Sequence, residues 1–386
     1  MKKVLSVFLS LVMILALCTV AFAAGEDPAA ALQFNADGTF KIMQVNDTQD
    51  IDKMNKKTVS FLKKALETEQ PDLVVVAGDI LSDMFIGANE TRIKNAIRAL
   101  GTIFNDAKVP FAVTFGNHDH DLEDTVSIAD MMKTFEEFEY CVNSEGCDPG
   151  TYSLPILNSD GTAYALNVYM MDTNNKNGAV SGYTGVYPNQ VEWYKEKSDE
   201  LKALNGGKVL PSLLFQHVPV KEIYQFIDET NAKESNTSVF SLDNYKWYRL
   251  NSEKLLSENN YLGEAPCSEP LTHVTGQYEA WLERGDIIGA FFAHDHVNNF
   301  VGKTDEGIVL GYNGGTGFRS YGNGGKRSVR VYELNENDVS AYTTHSVFYE
   351  DLIGDPGLCV SDLLTPAIVG DLLRTIYRFL GITQWY

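Results

Sequence analysis

The sequence predicts an α/β domain in which two β-sheets carry helices on their outer faces. Three observations lead there. Short apolar runs recur along the chain, each ended by a polar residue or glycine: FKIMQV, DLVVVAGD, PFAVTFGNHD, YALNVYMMDT, SLLFQH, IIGAFFAHDH, GIVLGYN and SVRVYEL. They do not alternate strictly, so they read as strands buried on both faces. Helical patterns separate several of the early runs, which implies crossover connections between parallel strands. The late runs follow one another without helices and read as an antiparallel or meandering set.

Taken in order, the elements begin with a leader. Lys2 and Lys3 precede an apolar run from Val4 to Val20, and Ala21-Phe22-Ala23 is a small-x-small cleavage site. Residues 1–24 therefore read as a secretory signal peptide, and the product as secreted. Leu17 before Cys18 is too large for the usual lipoprotein pattern. The folded domain is expected over residues 34–350. Val59, Leu62 and Leu66 mark one helical face, and Ile93, Ile97, Leu100 and Phe104 another. Residues from about 231 to 270 are polar, with interleaved Tyr245, Trp247 and Tyr248, and read as an insertion over one face. The C-terminal tail, 351–386, places Leu372, Leu373, Ile376 and Leu380 at helical spacing. It reads as an amphipathic helix that docks on the body or makes weak contact with a membrane surface. No run after the leader is apolar for the ~18 residues that a transmembrane span needs.

Composition limits the partners. Loss of Lys2 and Lys3 with the leader takes the formal charge from −21 to −23. Such a surface repels polyanions, which excludes nucleic acid as a partner. A small anionic substrate needs a local positive charge, and a bound metal supplies one. Cys141, Cys147, Cys267 and Cys359 follow the leader. A local Cys141–Cys147 bridge with a second Cys267–Cys359 tie is one reading, and four free thiols is the other.

The chemistry is carried by where the polar residues stand. Five of the apolar runs end in metal-ligand types: Asp47-x-Gln49, Gly78-Asp79, Gly116-Asn117-His118-Asp119, His217, and His294-x-His296. Open α/β sheets place their sites at strand carboxyl ends. A lone strand-end histidine is an ordinary turn residue. A histidine pair at i, i+2, together with Asp, Asn and His from other strand ends, is a converging donor set.

In that order and spacing, these motifs resemble the calcineurin-like metallophosphoesterases, the superfamily that includes the purple acid phosphatases. The segments FQHVPV, YPNQVEW and GQYEAWLERGDIIGAFFAHDHVNNFVG are similar to the branch of plant purple-acid-phosphatase-like proteins and their microbial relatives, and the likeness spans roughly Phe40 to Leu334. The resemblance implies a four-layer sandwich, two central mixed β-sheets flanked by helices. It implies two divalent or trivalent metal ions (Mn, Fe, Zn or Mg) sharing Asp79. The first would take Asp47, Gln49, Asp79 and His296, and the second Asp79, Asn117, His217 and His294. It further implies hydrolysis of a small phosphate ester by attack of a metal-activated water on phosphorus, with a preference for monoesters over diesters. His118 would protonate the leaving group or steady a phosphoryl oxygen. Asp83 would orient that imidazole, or simply cap a loop.

The sequence departs from the pattern in places. Ser82 stands where purple enzymes have the tyrosine that gives their colour, so no purple centre is expected. Gln49 stands where most of the family has histidine, and it binds a cation only through its neutral amide oxygen. The expected pair is therefore unequal, with the first ion weaker and more exchangeable. Gln49 is also the feature that keeps a non-catalytic metal- or phosphate-binding protein as the alternative. Arg319, in the glycine-rich run after the last metal strand, would reach a phosphate or lie in a solvent loop. His120 reads as a surface histidine.

Overall fold

The computed structural model describes residues 31–376 apart from 83, 176–182, 184, 232–236, 242–244, 257–258, 268–274, 365–371 and 373–374. The signal peptide expected over 1–24 and the candidate Asp83 lie outside the described residues. So does most of the C-terminal helix, of which Leu372, Thr375 and Ile376 are described and exposed. Among the described residues, no helix is long and apolar enough to cross a membrane.

The apolar runs form two large mixed sheets. In the five-stranded sheet, β1 (Thr39–Val45), β2 (Leu73–Ala77) and β3 (Phe111–Thr114) lie parallel and adjacent. Helices α1 (Lys56–Glu69) and α2 (Glu90–Ala107) supply the crossovers between them. After β3 come a single turn, α3 (Asn117–His120), and α4 (Ile128–Phe135). The seven-stranded sheet begins with β4 (Tyr152–Leu157), antiparallel to β5 (Tyr164–Met171). Helix α5 (Pro188–Leu204) leads to β6 (Ser212–Gln216), which lies parallel to β5.

The region expected as an insertion, about 231–270, carries β8 (Val239–Phe240) and β9 (Trp247–Leu250), and β7 (Ile227–Thr230), just before it, completes a small antiparallel sheet with them. The region ends in β10 (Tyr261–Leu262), which joins the edge of the seven-stranded sheet at β12. Then follow α6 (Gln277–Arg284), β11 (Ile287–Phe292), β12 (Asn298–Lys303) and β13 (Val309–Tyr312). β14 (Ser328–Asn335) returns to the five-stranded sheet antiparallel to β1, β15 (Thr343–Phe348) pairs antiparallel with β14 at its edge, and α7 (Tyr349–Leu352) follows.

The non-alternating runs are explained by two cores. Leu166, Val168 and Met170 of β5 belong to the larger apolar cluster, whereas Tyr169 and Met171 belong to the second. β6 divides in the same way, Leu213 and Phe215 from Leu214. Successive side chains point to opposite faces. Both faces are covered, so apolar residues stand at successive positions, with Asn167, Ser212 and Gln216 as buried polar exceptions. The second cluster is closed from outside by Tyr194 and Leu201 of α5 and by Trp281 of α6.

The α2 face is the expected one, with Ile93, Ile97, Leu100 and Phe104 buried. On α1 the buried stripe is Thr58, Phe61, Leu62, Ala65 and Leu66, and Val59 is left half-buried at its margin. The α1 N-cap is Asn55, whose side chain accepts from Lys57 N at 2.9 Å, which satisfies one of the orphan donors of a helix start. Cys141, Cys147 and Cys359 carry free thiols, so neither of the bridges considered above forms.

Hydrogen bonds join the carboxyl ends of the two sheets. His217 Nδ1, just past β6, lies 2.9 Å from Ala77 O at the end of β2. Gln44 Nε2 of β1 donates to Phe292 O at the end of β11 (3.1 Å). The site lies at this junction.

Candidate metal centre

The turns that follow β1, β2 and β11 have uncommon backbone geometry. Asp47, Gln49, Asp79 and His294 have φ of 50°, 38°, 49° and 75°. This left-handed region is costly for residues with a Cβ, and such strain gathers at functional sites. Backbone bonds hold it in place, from Asp47 N to Gly78 O (3.1 Å) and from Gln49 N to Asp79 O (3.0 Å). Two glycines let the second and third turns touch. A Cβ on Gly78 would stand 2.7 Å from Gly116 N, and one on Gly116 would stand 2.3 Å from Asp79 Oδ1.

The predicted donors come together in two groups that share Asp79. One is Asp79, His217 and His294, and the other is Asp47, Asp79 and His296. His217 Nε2 is 3.1 Å from Asp79 Oδ2 and 3.8 Å from Asp47 Oδ1. His294 Nδ1 is 3.2 Å from His217 Nε2. His296 Nε2 is 3.2 Å from Asp47 Oδ1. Asp47, Gln49, Asp79, Asn117, His217 and His296 are all buried, and His294 lines the opening.

Carbonyls fix two of the imidazoles. His217 Nδ1 faces Ala77 O, and His296 Nδ1 faces Tyr321 O at 2.9 Å. Each Nδ1–H donates there, which leaves Nε2 of the neutral ring as a lone pair aimed into the site. This is the usual way in which a protein orients a metal-binding histidine.

The donor set fits cations. Among the described residues, Asp47 Oδ1 and Asn117 Oδ1 are buried acceptors without a hydrogen-bond partner, and an unpartnered buried oxygen is costly. His217 Nε2 and His294 Nδ1 face each other at 3.2 Å, close enough for one cation to take both. The titration behaviour matches. Burial opposes charge on His217, but the Asp79 carboxylate outweighs it and lifts the group to about 10. Burial and the neighbouring His217 push His294 down to about 3. Burial would raise Asp79, yet the charge and hydrogen bond of His217 hold it well below the usual carboxylate range. The carboxylates thus favour positive charge on His217, and on His296 beside Asp47, in the positions where cations would serve.

Gln49 is buried beside the shared carboxylate, and its Nε2 donates to Asp79 Oδ2 at 3.0 Å. A half-turn of the amide brings Oε1 to that position. His118 starts from the same carboxylate, since its backbone N donates to Asp79 Oδ1 at 2.9 Å. Its ring pairs with Asp121, Nδ1 to Oδ2 at 2.8 Å, and Asn175 Nδ2 donates to the other Asp121 oxygen at 2.9 Å. Arg319 is engaged elsewhere. Its Nε donates to Asp50 Oδ1 at 2.6 Å and its Nη2 to Lys53 O at 2.7 Å, which braces the turn after Asp47.

Three further residues were given no role from the sequence, Asp119 being named only as the last residue of its motif, and Asp121 and Glu264 not at all. Asp119 accepts from Ile80 N (3.0 Å), Leu81 N (2.9 Å) and Gly116 N (3.0 Å), and so ties the Asp79 turn to the Asn117 turn. Its burial, with Asp79 nearby, lifts it to about 7 against those donors. Asp121 was findable, because it stands three residues after His118 on a helical turn, where side chains meet. Glu264, at the end of the insertion, accepts from Tyr321 Oη at 3.0 Å, and no local pattern announces it. His120 is not a surface histidine. It is a largely buried ion-pair partner, its side chain 10% exposed, with Nε2 at 3.0 Å from Asp172 and Nδ1 at 3.0 Å from Glu123.

Two mixed sheets whose carboxyl ends bring together Asp-x-Gln, Gly-Asp, Gly-Asn-His and His-x-His turns define a phosphoesterase architecture. The chain belongs to the calcineurin-like phosphoesterase family, whose model matches residues 40–298. It is 28% identical to "Probable inactive purple acid phosphatase 14" of Arabidopsis thaliana, over 78% of this chain and 77% of that protein. It is 25% identical to "Probable inactive purple acid phosphatase 29" of the same plant, over 79% of each. To "Phosphatase DCR2" of Saccharomyces cerevisiae it is 26% identical, over 82% of this chain and 55% of that protein.

Proposed function

We propose that the protein is a secreted dimetal phosphoesterase that hydrolyses small phosphate monoesters. The observation that carries this reading is the pair of donor groups sharing Asp79, beside which the buried Asp47 Oδ1 and Asn117 Oδ1 have no hydrogen-bond partner among the described residues. The first ion would be held by Asp47, Gln49 Oε1, Asp79 and His296 Nε2. The second would be held by Asp79, Asn117 Oδ1, His217 Nε2 and His294 Nδ1. Two ions held there supply an activated water at neutral pH and positive charge at the attacking and leaving oxygens.

The chain's own residues do the rest. His118 Nε2–H donates to the leaving oxygen, and Asp121 on Nδ1 holds the ring in that orientation. Asp83 remains a candidate for the same task. Two divalent ions outweigh the two carboxylates, so the pocket is cationic inside a strongly acidic surface and selects small phosphates. Arg319 acts by bracing the Asp47 turn through Asp50, with substrate contact left to the remaining face of its guanidinium. Glu264 brings the insertion beside the site, where it shapes the rim that separates monoesters from diesters. The metal preference follows the ligands. Harder Mn or Mg suits the oxygen-rich first position, and Zn or Fe suits the second. Secretion is supported by the leader pattern of residues 1–24 and is tested by the N-terminal sequence of the exported product.

The deciding experiment is a panel of phosphate mono- and diesters offered to the Mn²⁺- or Zn²⁺-reconstituted protein, with His118→Ala beside it. Monoester turnover that falls ~10²–10⁴-fold in the variant is expected. A metal-loaded protein that turns over neither class defeats the enzyme reading. It would favour a binding protein, the alternative supported by the Gln49 amide donating to the shared carboxylate.

A further inference from the structure

The glycine-rich run from Gly314 to Gly325 contributes to neither donor group, yet it is laid on the first half-site. Thr316 N donates to Asn46 O at 3.0 Å, and Gly317 N donates to Asp47 O at 3.1 Å. The Tyr321 carbonyl accepts from His296 Nδ1, and the Tyr321 ring lies flat on that imidazole, with centroids 4.2 Å apart and planes at 9°. No room is left between loop and turn. A Cβ on Gly317 would stand 2.1 Å from Thr48 O, and one on Gly315 would stand 3.0 Å from His296 Cβ.

Arg327 holds this loop. Its fully buried guanidinium donates to the carbonyls of Gly317, Ser320 and Tyr321 and lies over the Phe318 ring at 4.6 Å. Its charge is met by Asp362, on the 3₁₀ turn Val360–Leu364 of the C-terminal segment. Asp362 also accepts from Gly324 N at 3.1 Å. Lys57 Nζ donates to Pro356 O at 2.6 Å and anchors the same segment to the start of α1. The second half-site is held by other means, His217 by Ala77 O and the Asn117 turn by Asp119.

We propose that Asp362, acting through Arg327 and the Tyr321 carbonyl, is a positioning residue for the first ion, so that the C-terminal segment sets the affinity of that half-site and not of the other. The inference rests on the dimetal reading. Without the Asp362 carboxylate, the buried guanidinium loses its counter-charge. The loop then relaxes toward solvent, and His296 loses the acceptor that fixes its tautomer and ring orientation.

The test is a Mn²⁺ titration of the full-length protein by calorimetry. Wild type is compared with Asp362→Asn and Asp362→Glu, and His296→Ala marks which binding step belongs to the first half-site. Asp362→Asn is expected to weaken that step about tenfold, the low end for a partner beyond the ligands, and to leave the other step unchanged. Asp362→Glu, which keeps the charge, is expected to restore most of the loss. Lys57→Met, which loosens the segment at α1 and leaves Arg327 and Asp362 in place, is expected to move the same step in the same direction, and it decides the matter if the Asn variant does not fold. Equal weakening of both steps makes the role merely structural and overturns the proposal, as does no change in either. A wild-type protein that binds fewer than two ions refutes the dimetal reading itself, an outcome distinct from these.

Discussion

The His120–Asp172 pair gives a stability prediction that can be worked from the structure. His120 is on α3, the turn that carries Asn117 and His118, and Asp172 is the first residue after β5. The two are 3.0 Å apart, and Asp172 is only 2% exposed. Burial opposes charge on His120, but Asp172, with help from Glu123, outweighs it and raises the group from 6.5 to about 9. At ~1.4 kcal/mol per decade of proton affinity, the pair contributes about 3 kcal/mol. The raised value fixes the sign. The contribution is complete below about pH 6.5, declines as the pH rises, and is lost above about 9. His120→Ala should therefore destabilise the metal-free protein by about 3 kcal/mol at pH 6, through the lost pair and the stranded Asp172 carboxylate. At pH 10 the difference should shrink to ~1 kcal/mol or less. Urea unfolding at both pH values measures it. A difference under ~1 kcal/mol at pH 6, or an equal one at both pH values, would refute the reasoning.

Other outcomes follow from the same geometry. Mn²⁺ affinity should rise close to tenfold per pH unit between about 7 and 9, because an entering ion must expel the proton that His217 holds up to about 10; a flat pH profile in a calorimetric titration would contradict this. Gly116→Ala places a Cβ 2.3 Å from Asp79 Oδ1 and 2.8 Å from His217 Cδ2. It should lower stability by about 1–3 kcal/mol and abolish tight binding of the second ion, as read by thermal melts and metal analysis. Asp121→Ala should cost about tenfold or more in kcat on monoesters with poor leaving groups, and less on aryl phosphates, with metal content unchanged. Equal losses on both substrates would remove Asp121 from proton transfer. Gln49→His should tighten the first ion by exchanging an amide oxygen for an imidazole, and equal affinities of the two native sites would contradict the expected inequality.

Much of this centre was legible because its residues are set by strand ends. Asp47, Asp79, Asn117, His217 and His294 each lie within a few residues of the end of an apolar run, so order along the chain translated into proximity in space. The layering was legible for a related reason, since strands buried on both faces cannot alternate. What could not be read were contacts that depend on distant chain segments. His120 looked like a surface residue because its partner, Asp172, is 52 positions away. Arg319 looked free to bind phosphate because Asp50 is 269 positions before it. The insertion showed no periodicity because its strands are two to four residues long, too short to establish a pattern. Arg327 and Asp362 carried no motif at all, and only the fold shows that they meet beneath the glycine-rich loop.

The central claim is that Asp79 bridges two ions. Anomalous diffraction from crystals of the Mn²⁺-loaded protein tests it most directly. Two peaks about 3.5–4 Å apart are predicted, one beside Asp47 and His296 and the other beside His217, His294 and Asn117, with Asp79 between them. A single peak, or two peaks that do not share Asp79, would contradict the account.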